Sequence, residues 1–307
     1  AKGRFNHVTK WNPIYRKMND GKKYGIEVSP VTKTRIAMEE MQMAENVNYL
    51  YLNKMVEEFI KPLYAMGLTE DDLGVLLTLE RNLGDRSDIA NPYGLQGEYA
   101  TATLDYFRKH LENRKGITKE NFNVLQQMSR AFKADLFERV TQMTRVGGYS
   151  KEFYKTKAFP SKDTYVVYQV LDYIHDNSVS AGIKHAVGTL KAIENPFISS
   201  ILKSISINKQ IEIQKGKNTV IDDILQKQFA ADISKAEKIM GQNGWTGKYK
   251  PYTVEQDGVV TTYEVLERLE DGKRVGYNVD PYIKKMFDIG NPQDTHTIIK
   301  AFGHFNK

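Results

Sequence analysis

Apolar residues recur every three or four positions through the first two thirds of this chain, and every second position only near its end. The first spacing is that of a helix with one buried face, the second that of a half-buried strand. From Thr32 to Tyr64, Ile36, Met43, Val47, Leu50, Met55 and Phe59 fall near helical spacing, and Met66-Gly67 breaks the run. A second helix is predicted over "LTEDDLGVLLTLERN". Thr69 is placed to cap it, and acids in its first turn suit the positive end of the helix dipole. Glu80, Arg81 and Asn82 then stand at its C-terminal end and lead into a loop through Asn91-Pro92 to Gly94. "GEYATATLDYFRKHLEN" predicts a third helix with Tyr99, Leu104, Phe107 and Leu111 on its apolar face, ended by Gly116. A fourth, long helix starts behind Thr118 and stops at Gly147-Gly148. "SKEFYKTKAFP" starts a short helix whose pattern breaks at Pro160.

The next stretch changes character. "DTYVVYQVLDYI" is aromatic and β-branched and reads as a strand or extended segment, whereas 175–194 fits neither period. A helix is predicted from "ENPFISSILKSISINKQIEIQKGKN", with Asn195 as cap and Pro196 at its first position. Glu194, Lys203, Lys209 and Glu212 interrupt its apolar run, which reads as an amphipathic helix rather than a membrane span. A further helix is predicted over "NTVIDDILQKQFAADISKAEKIMGQNG", capped by Asn218 and closed by glycines. After Trp245 the period becomes two, and Asp271-Gly272 is a strong tight-turn dipeptide. "DPYIKKMFDIG" returns to helix.

The fold class expected is mainly α: an elongated multi-helical array with a small antiparallel β-hairpin or meander near 251–279. Along the chain this divides into a basic extended segment (1–31), a helical region (32–159), an extended segment plus a helical pair (160–245), and a hairpin with a C-terminal helix (246–307). The first residue, Ala1, and the apolar-rich ending "TIIKAFGHFNK" are read as signs of a fragment of a longer polypeptide.

Composition narrows the chemistry. The 307 residues are 40% hydrophobic and 27% charged, in the range of folded proteins. Without cysteine there is no disulfide, thiol nucleophile or thiolate metal site. The histidines at 7, 110, 175, 185, 296 and 304 show no metal-ligand spacing and no HExxH, so neither metal nor cofactor is expected. The net charge of +6 is dispersed, except that "AKGRFNHVTKWNPIYRKMNDGKKYG" holds seven Lys or Arg against one acid. No phosphate loop and no nucleophile elbow occurs. Basic and aromatic residues interleave in "GKKYG" and "GKYKPY", a composition that suits either single-strand binding or a hairpin edge.

Glu80 is the one carboxylate in a suggestive setting. A glutamate at a helix end before "NPYGLQGEYATA" resembles the general acid of a lysozyme-like lytic transglycosylase. Arg81 beside it, where that family has serine, opposes the raised pKa a general acid needs, and the sugar-binding segment of that family has no counterpart. The other reading is a polar clamp. In it Arg81 and Asn82 supply donors to the last helix carbonyls, and Glu80 pairs with an arginine or with loop amides. Glu80, Arg81, Asn82, Asn91, Pro92 and Gly94 make up this clamp.

Taken in order, "MGLTEDDLGVLLTLERN", "NPYG", "YATATLDYFRKHLENRKG", "RVGGYSKEFYKTK", "DTYVVYQVLDY", "GTLKAIENPFISSILKSISINKQIEIQKGKN" and "TYEVLERLEDGKRVGYNVDPYIKKMF" resemble a recurrent region of very large phage and mobile-element polypeptides. This is one of the large polyvalent protein-associated domains, also seen in internal virion proteins that short-tailed bacteriophages eject with their DNA. The resemblance spans roughly 63 to 287, and the loop after Asn91 is shorter here than in that family. It implies a structural, non-enzymatic module of an internal virion or ejection (cargo) protein, packaged in the virion interior and delivered to the host envelope or cytoplasm. Its implied partners are other virion proteins, copies of itself, and phage DNA through dispersed basic residues. The tyrosines and methionines between Met38 and Tyr64 are the contact candidates.

Overall fold

The computed structural model describes residues 30–85, 103–163, 195–225, 235–256, 258–279, 281, 284 and 285. Its residues group into two compact units, one of 44–211 and one that joins 1–43 to 212–307. The chain is mostly helical, with antiparallel β-structure toward its C-terminal part, in the fold class its periodicity predicts.

Among its described residues the 44–211 unit holds helices and turns and no strand. Helix α1 (Pro30–Met55) enters it, passes through a π-helical turn (Val56–Ile60), and continues as α2 (Lys61–Ala65). The wider turn has a local cause. Pro62 has no N–H to give the carbonyl of residue 58, and its ring would crowd that carbonyl in a regular helix. Helices α3 (Glu70–Asp85), α4 (Leu104–Lys115) and α5 (Lys119–Arg145) follow. The short α6 (Lys151–Phe153) runs through a π turn (Tyr154–Ala158) into a 3-10 turn (Phe159–Ser161). Pro160 thus sits inside a helical turn, and the break comes after it.

Local chemistry sets the helix ends. Thr103, Thr118 and Ser150 each accept a hydrogen bond from the backbone N–H three residues on, satisfying a donor that the first turn leaves over. Gly67 and Gly147 sit at φ 73° and 85°. Beyond them, Leu68 N–H bonds the Leu63 carbonyl and Gly148 N–H the Met143 carbonyl, the two-bond Schellman closure. Thr69 begins α3, but its hydroxyl donates to Asp72 rather than accepting from the first turn, and its N–H also goes to Asp72.

Three aromatic rings from separate helical segments centre this unit. Phe132 of α5 lies 5.5 Å from Phe59 and 4.8 Å from Phe197, with every ring at most 2% exposed. Along α5 the buried stripe is Phe122, Leu125, Ser129, Phe132, Leu136, Val140 and Met143. That near-heptad seam faces the other helices, with one serine in it.

Helix α7 (Pro196–Asn218) contributes to both units. The amphipathic reading of this stretch is corrected in one respect: its polar residues are not confined to the half-buried side, since Ser200, Lys203, Ser204 and Asn208 are buried. No buried side-chain nitrogen or oxygen of α7 is left without a hydrogen bond. Ser204 donates to the Ser200 carbonyl, and Asn208 donates to Asn48 of α1, which donates in turn to the Ile205 carbonyl. A second correction concerns Asn218, which caps no new helix. The helix runs on into a π turn (Thr219–Leu225), and the Asn218 side chain instead accepts from Gln214.

The other unit holds the strands. The stretch read as the end of a helical pair is a hairpin, β1 (Lys238–Gly241) with β2 (Gly244–Tyr249). Glycines expected to close a helix make its turn, and Gly244 at φ 98° and Gly247 at φ 83° permit the turn and the bulge behind it. Then β3 (Tyr252–Gln256), β4 (Val259–Glu270) and β5 (Lys273–Val279) form the antiparallel meander expected near 251–279. Asp271-Gly272 makes the β4–β5 turn with both residues at positive φ, as a type I′ turn requires. Strand β4 gives its first part to β3 and its second to β5.

Within this unit Gln214 of α7 holds the meander by its backbone. Its amide donates to the Leu269 carbonyl at 2.7 Å and accepts from the Leu269 N–H at 3.2 Å. Arg268 bonds Asp222 and Glu270, and the Tyr277 hydroxyl donates to Glu270. Beyond β5 the described residues Pro281, Lys284 and Lys285 are helical. The segments 1–29, 164–194 and 86–102 lie outside the described residues. They include the basic start, the extended segment after Asp163, and the front of the helix read through Tyr99.

Two outcomes follow. A Cβ on Gly216 would stand 2.7 Å from the Ala37 carbonyl oxygen, so backbone would have to move. Ala in place of helical Gly ordinarily gains about 1 kcal/mol, but overpacking against backbone costs about 1–3. Gly216→Ala should therefore lower the denaturation midpoint, and a raised midpoint would refute this close approach. Burial works against ionisation of Glu270, yet the Tyr277 hydroxyl and the Arg268 guanidinium together hold its carboxyl below the usual range. Its contribution is present above the unfolded glutamate pKa of about 4.3 and is lost as pH falls through the lower folded value. Glu270→Gln should then flatten the acid limb of the stability curve, measured by thermal melting from neutral pH downward.

Candidate functional site

Helix α3 turns Leu73, Leu76 and Leu77 into the core, and Glu80 follows Leu76 by one turn on that side. Across from it, Ser129 and Lys133 are one turn apart on α5. Ser129 occupies the apolar seam and is fully buried, so its hydroxyl needs a partner there. Glu80 provides one. Its Oε2 accepts from Ser129 Oγ at 2.5 Å and from Lys133 Nζ at 2.7 Å. The side chains of Glu80 and Lys133 are 13% and 8% exposed, so this pair is largely shielded from solvent and salt.

The sequence places Glu80, Arg81 and Asn82 at a helix end, and this is corrected. Helix α3 continues to Asp85, so the three residues lie within its last two turns rather than at its end. Among the described residues, the partners of Glu80 are a serine and a lysine of another helix. Arg81 is buried at 4% exposure. The side chain of Asn82, and Asn91, Pro92 and Gly94 entirely, lie outside the described residues.

Two further ties converge on the start of α3. Asp72 accepts from Thr69 N–H at 2.7 Å and from Lys115 Nζ of α4 at 2.6 Å. Asn195 works in both directions. Its Oδ1 accepts from Phe197 N–H at the start of α7, and its Nδ2 donates to the Glu70 carbonyl and to Asp71 Oδ1. Gly74 lies directly under Asn195, where any added Cβ would collide with the amide.

A fourth tie joins α1 to α5. Asp135 accepts from Lys54 at 2.7 Å and from Arg139 at 2.7 Å. The Arg139 guanidinium lies 4.0 Å from the centre of the Tyr51 ring. Burial pushes the Tyr51 hydroxyl well above its ordinary range, against the pull of Arg139.

Sequence reasoning missed Ser129, Lys133, Lys115 and Asp135. Ser129 carried a usable signal, because it is a small polar residue at a seam position of a long heptad-like stripe. Lys133 carried none, since a lysine beside the seam ordinarily extends into water.

In each tie a carboxylate or amide is committed to donors on a second element. Such an arrangement fixes helices against one another. Glu80 Oε2, held by two donors, is not presented to a leaving-group oxygen as a general acid would be. Among the described residues, no three His, Asp or Glu are grouped to hold a metal ion, and no helix is long and apolar enough to cross a membrane.

If the tie between α3 and α5 acts as a unit, removing either partner leaves a buried charge. Glu80→Ala or Lys133→Ala should each cost about 3–5 kcal/mol. The double variant should cost clearly less than the sum of the two. Urea denaturation of all four proteins measures this coupling, and additive losses would show that the contact contributes nothing of its own.

Comparison with models of known protein families, with curated proteins and with solved structures finds no match to this chain.

Proposed function

We propose that this chain is a structural module of a large bacteriophage internal virion or ejection protein, packaged in the particle and delivered with the genome. The observation that carries the structural part of this reading is the convergence of Ser129 and Lys133 on one oxygen of Glu80. The carboxylate best placed by sequence for acid catalysis is spent on joining α3 to α5. Asp72, Asp135 and Asn195 are used in the same way. The phage context is supported by the ordered motif series between about residues 63 and 287. In this reading the partners are other virion proteins or further copies of the chain, the place is the virion interior, and the protein is not an enzyme.

Side chains from the predicted contact segment are divided by the fold. Met41, Tyr51 and Met55 are buried in the packing, whereas Met43, Tyr49, Leu50 and Tyr64 are exposed. The exposed group is what a partner would meet, and the buried group serves the core.

Mass spectrometry of purified virions should find peptides of this chain at a fixed number of copies per particle, and they should persist after the particle surface is treated with protease. Their absence from particles would overturn the reading. A suspension of bacterial cell walls should keep its turbidity when the protein is added. Clearing that disappears in Glu80→Gln would establish the transglycosylase instead.

A further inference from the structure

We propose that the β1–β2 hairpin, with the adjoining start of β5, is a docking surface for single-stranded nucleic acid. From 235 to 252 the chain carries Lys235, Lys238, Lys248 and Lys250 against Glu237, an excess of three positive charges. Strand β5 adds Lys273 and Arg274. The two stretches meet, because Lys238 Nζ donates to the Arg274 carbonyl at 2.8 Å and the Tyr249 ring lies against Gly276.

Three of the six cations are partly neutralised: Lys250 by Glu237 at 2.5 Å, Lys235 by Glu270 at 3.4 Å, and Arg274 by Glu267 at 3.9 Å. Lys238, Lys248 and Lys273 have no carboxylate among the described residues within ion-pair reach, and Lys248 and Lys273 are exposed. The surface therefore keeps a positive excess that suits a phosphate backbone.

An aromatic ring lies within the same surface. Lys238 Nζ stands 4.4 Å from the centre of the Trp245 ring, so a phosphate drawn to Lys238 brings its base within reach of the indole. The indole N–H is already given to the Lys248 carbonyl and the Tyr249 ring stands 5.4 Å away, so the half-exposed indole offers a base the part of its face that Lys238 and Tyr249 leave uncovered. A Cβ added at Gly244 or Gly247 would meet nothing within 4 Å, so the hairpin backbone there is open to close approach. A lipid-inserting tip would need a cluster of exposed apolar side chains. Met240, 66% exposed, is the one large apolar residue so exposed among the described residues of this hairpin.

The test is fluorescence anisotropy of a labelled oligodeoxythymidylate with the full chain, over a series of salt concentrations. Three phosphate contacts predict that log K falls with log[salt] at a slope of about −2. Lys248→Glu with Lys273→Glu should weaken binding at least about tenfold at moderate salt, while Lys61→Glu on α2 leaves it unchanged. Circular dichroism melting of each variant separates a lost contact from lost folding. The proposal is overturned if the oligonucleotide does not bind, if binding ignores salt, or if the folded double variant binds like the parent. Association with phosphatidylcholine–phosphatidylserine vesicles without oligonucleotide binding would also overturn it and reassign the hairpin to a lipid surface.

Discussion

A polar side chain buried against other elements must satisfy its donors and acceptors from within the protein. Helix α7 buries Ser199, Ser200, Lys203, Ser204, Asn208, Glu212 and Gln214 in this way. Each unsatisfied donor or acceptor there would cost on the order of 1–3 kcal/mol. The solution is local and specific. The Ser204 hydroxyl returns to the Ser200 carbonyl, Asn208 meets Asn48, and Gln214 holds the Leu269 peptide by both its donor and its acceptor. In each unit, the elements around α7 are placed by where those polar groups need partners as much as by apolar packing. Directional bonds of this kind select one register, whereas a purely aliphatic helix surface tolerates several.

The same logic explains what was legible in the sequence. Helix starts at Thr118, Ser150 and Asn195, helix ends at Gly67, Gly116 and Gly147, and the Asp271-Gly272 turn depend on a few adjacent residues, and each could be read directly. The candidate site was legible only at Glu80. Its partners lie 49 and 53 residues away, and nothing near Glu80 indicates which helix will supply them. The extent of α3 was also misread, because "NLGD" has weak propensity and the helix holds through it.

The two larger misreadings share one cause. Glycines in "KIMGQNGWTGKY" look like a helix stop because periodicity is judged from the residues before them. With Gly244 and Gly247 at positive φ they are a hairpin turn and a bulge, which only the pairing with residues after them discloses. Conversely, Asn218 and Thr219 look like a new cap, yet the α7 hydrogen bonding widens into a π turn and continues. Thr219 gives its hydroxyl to Glu40 instead. A residue suited to capping does not cap when a tertiary partner engages it first.

The way β4 is shared bears on how this part of the chain can vary. Its pairing with β3 ends at Tyr263 and its pairing with β5 begins at Glu264. Side chains alternate along a strand, so one residue inserted at that junction would leave the β3 hairpin intact. Every later side chain would be turned over, carrying Leu266 and Arg268 out of the interior. A two-residue insertion would restore the faces and only lengthen the strand. Natural length variation at this junction should therefore come in even steps.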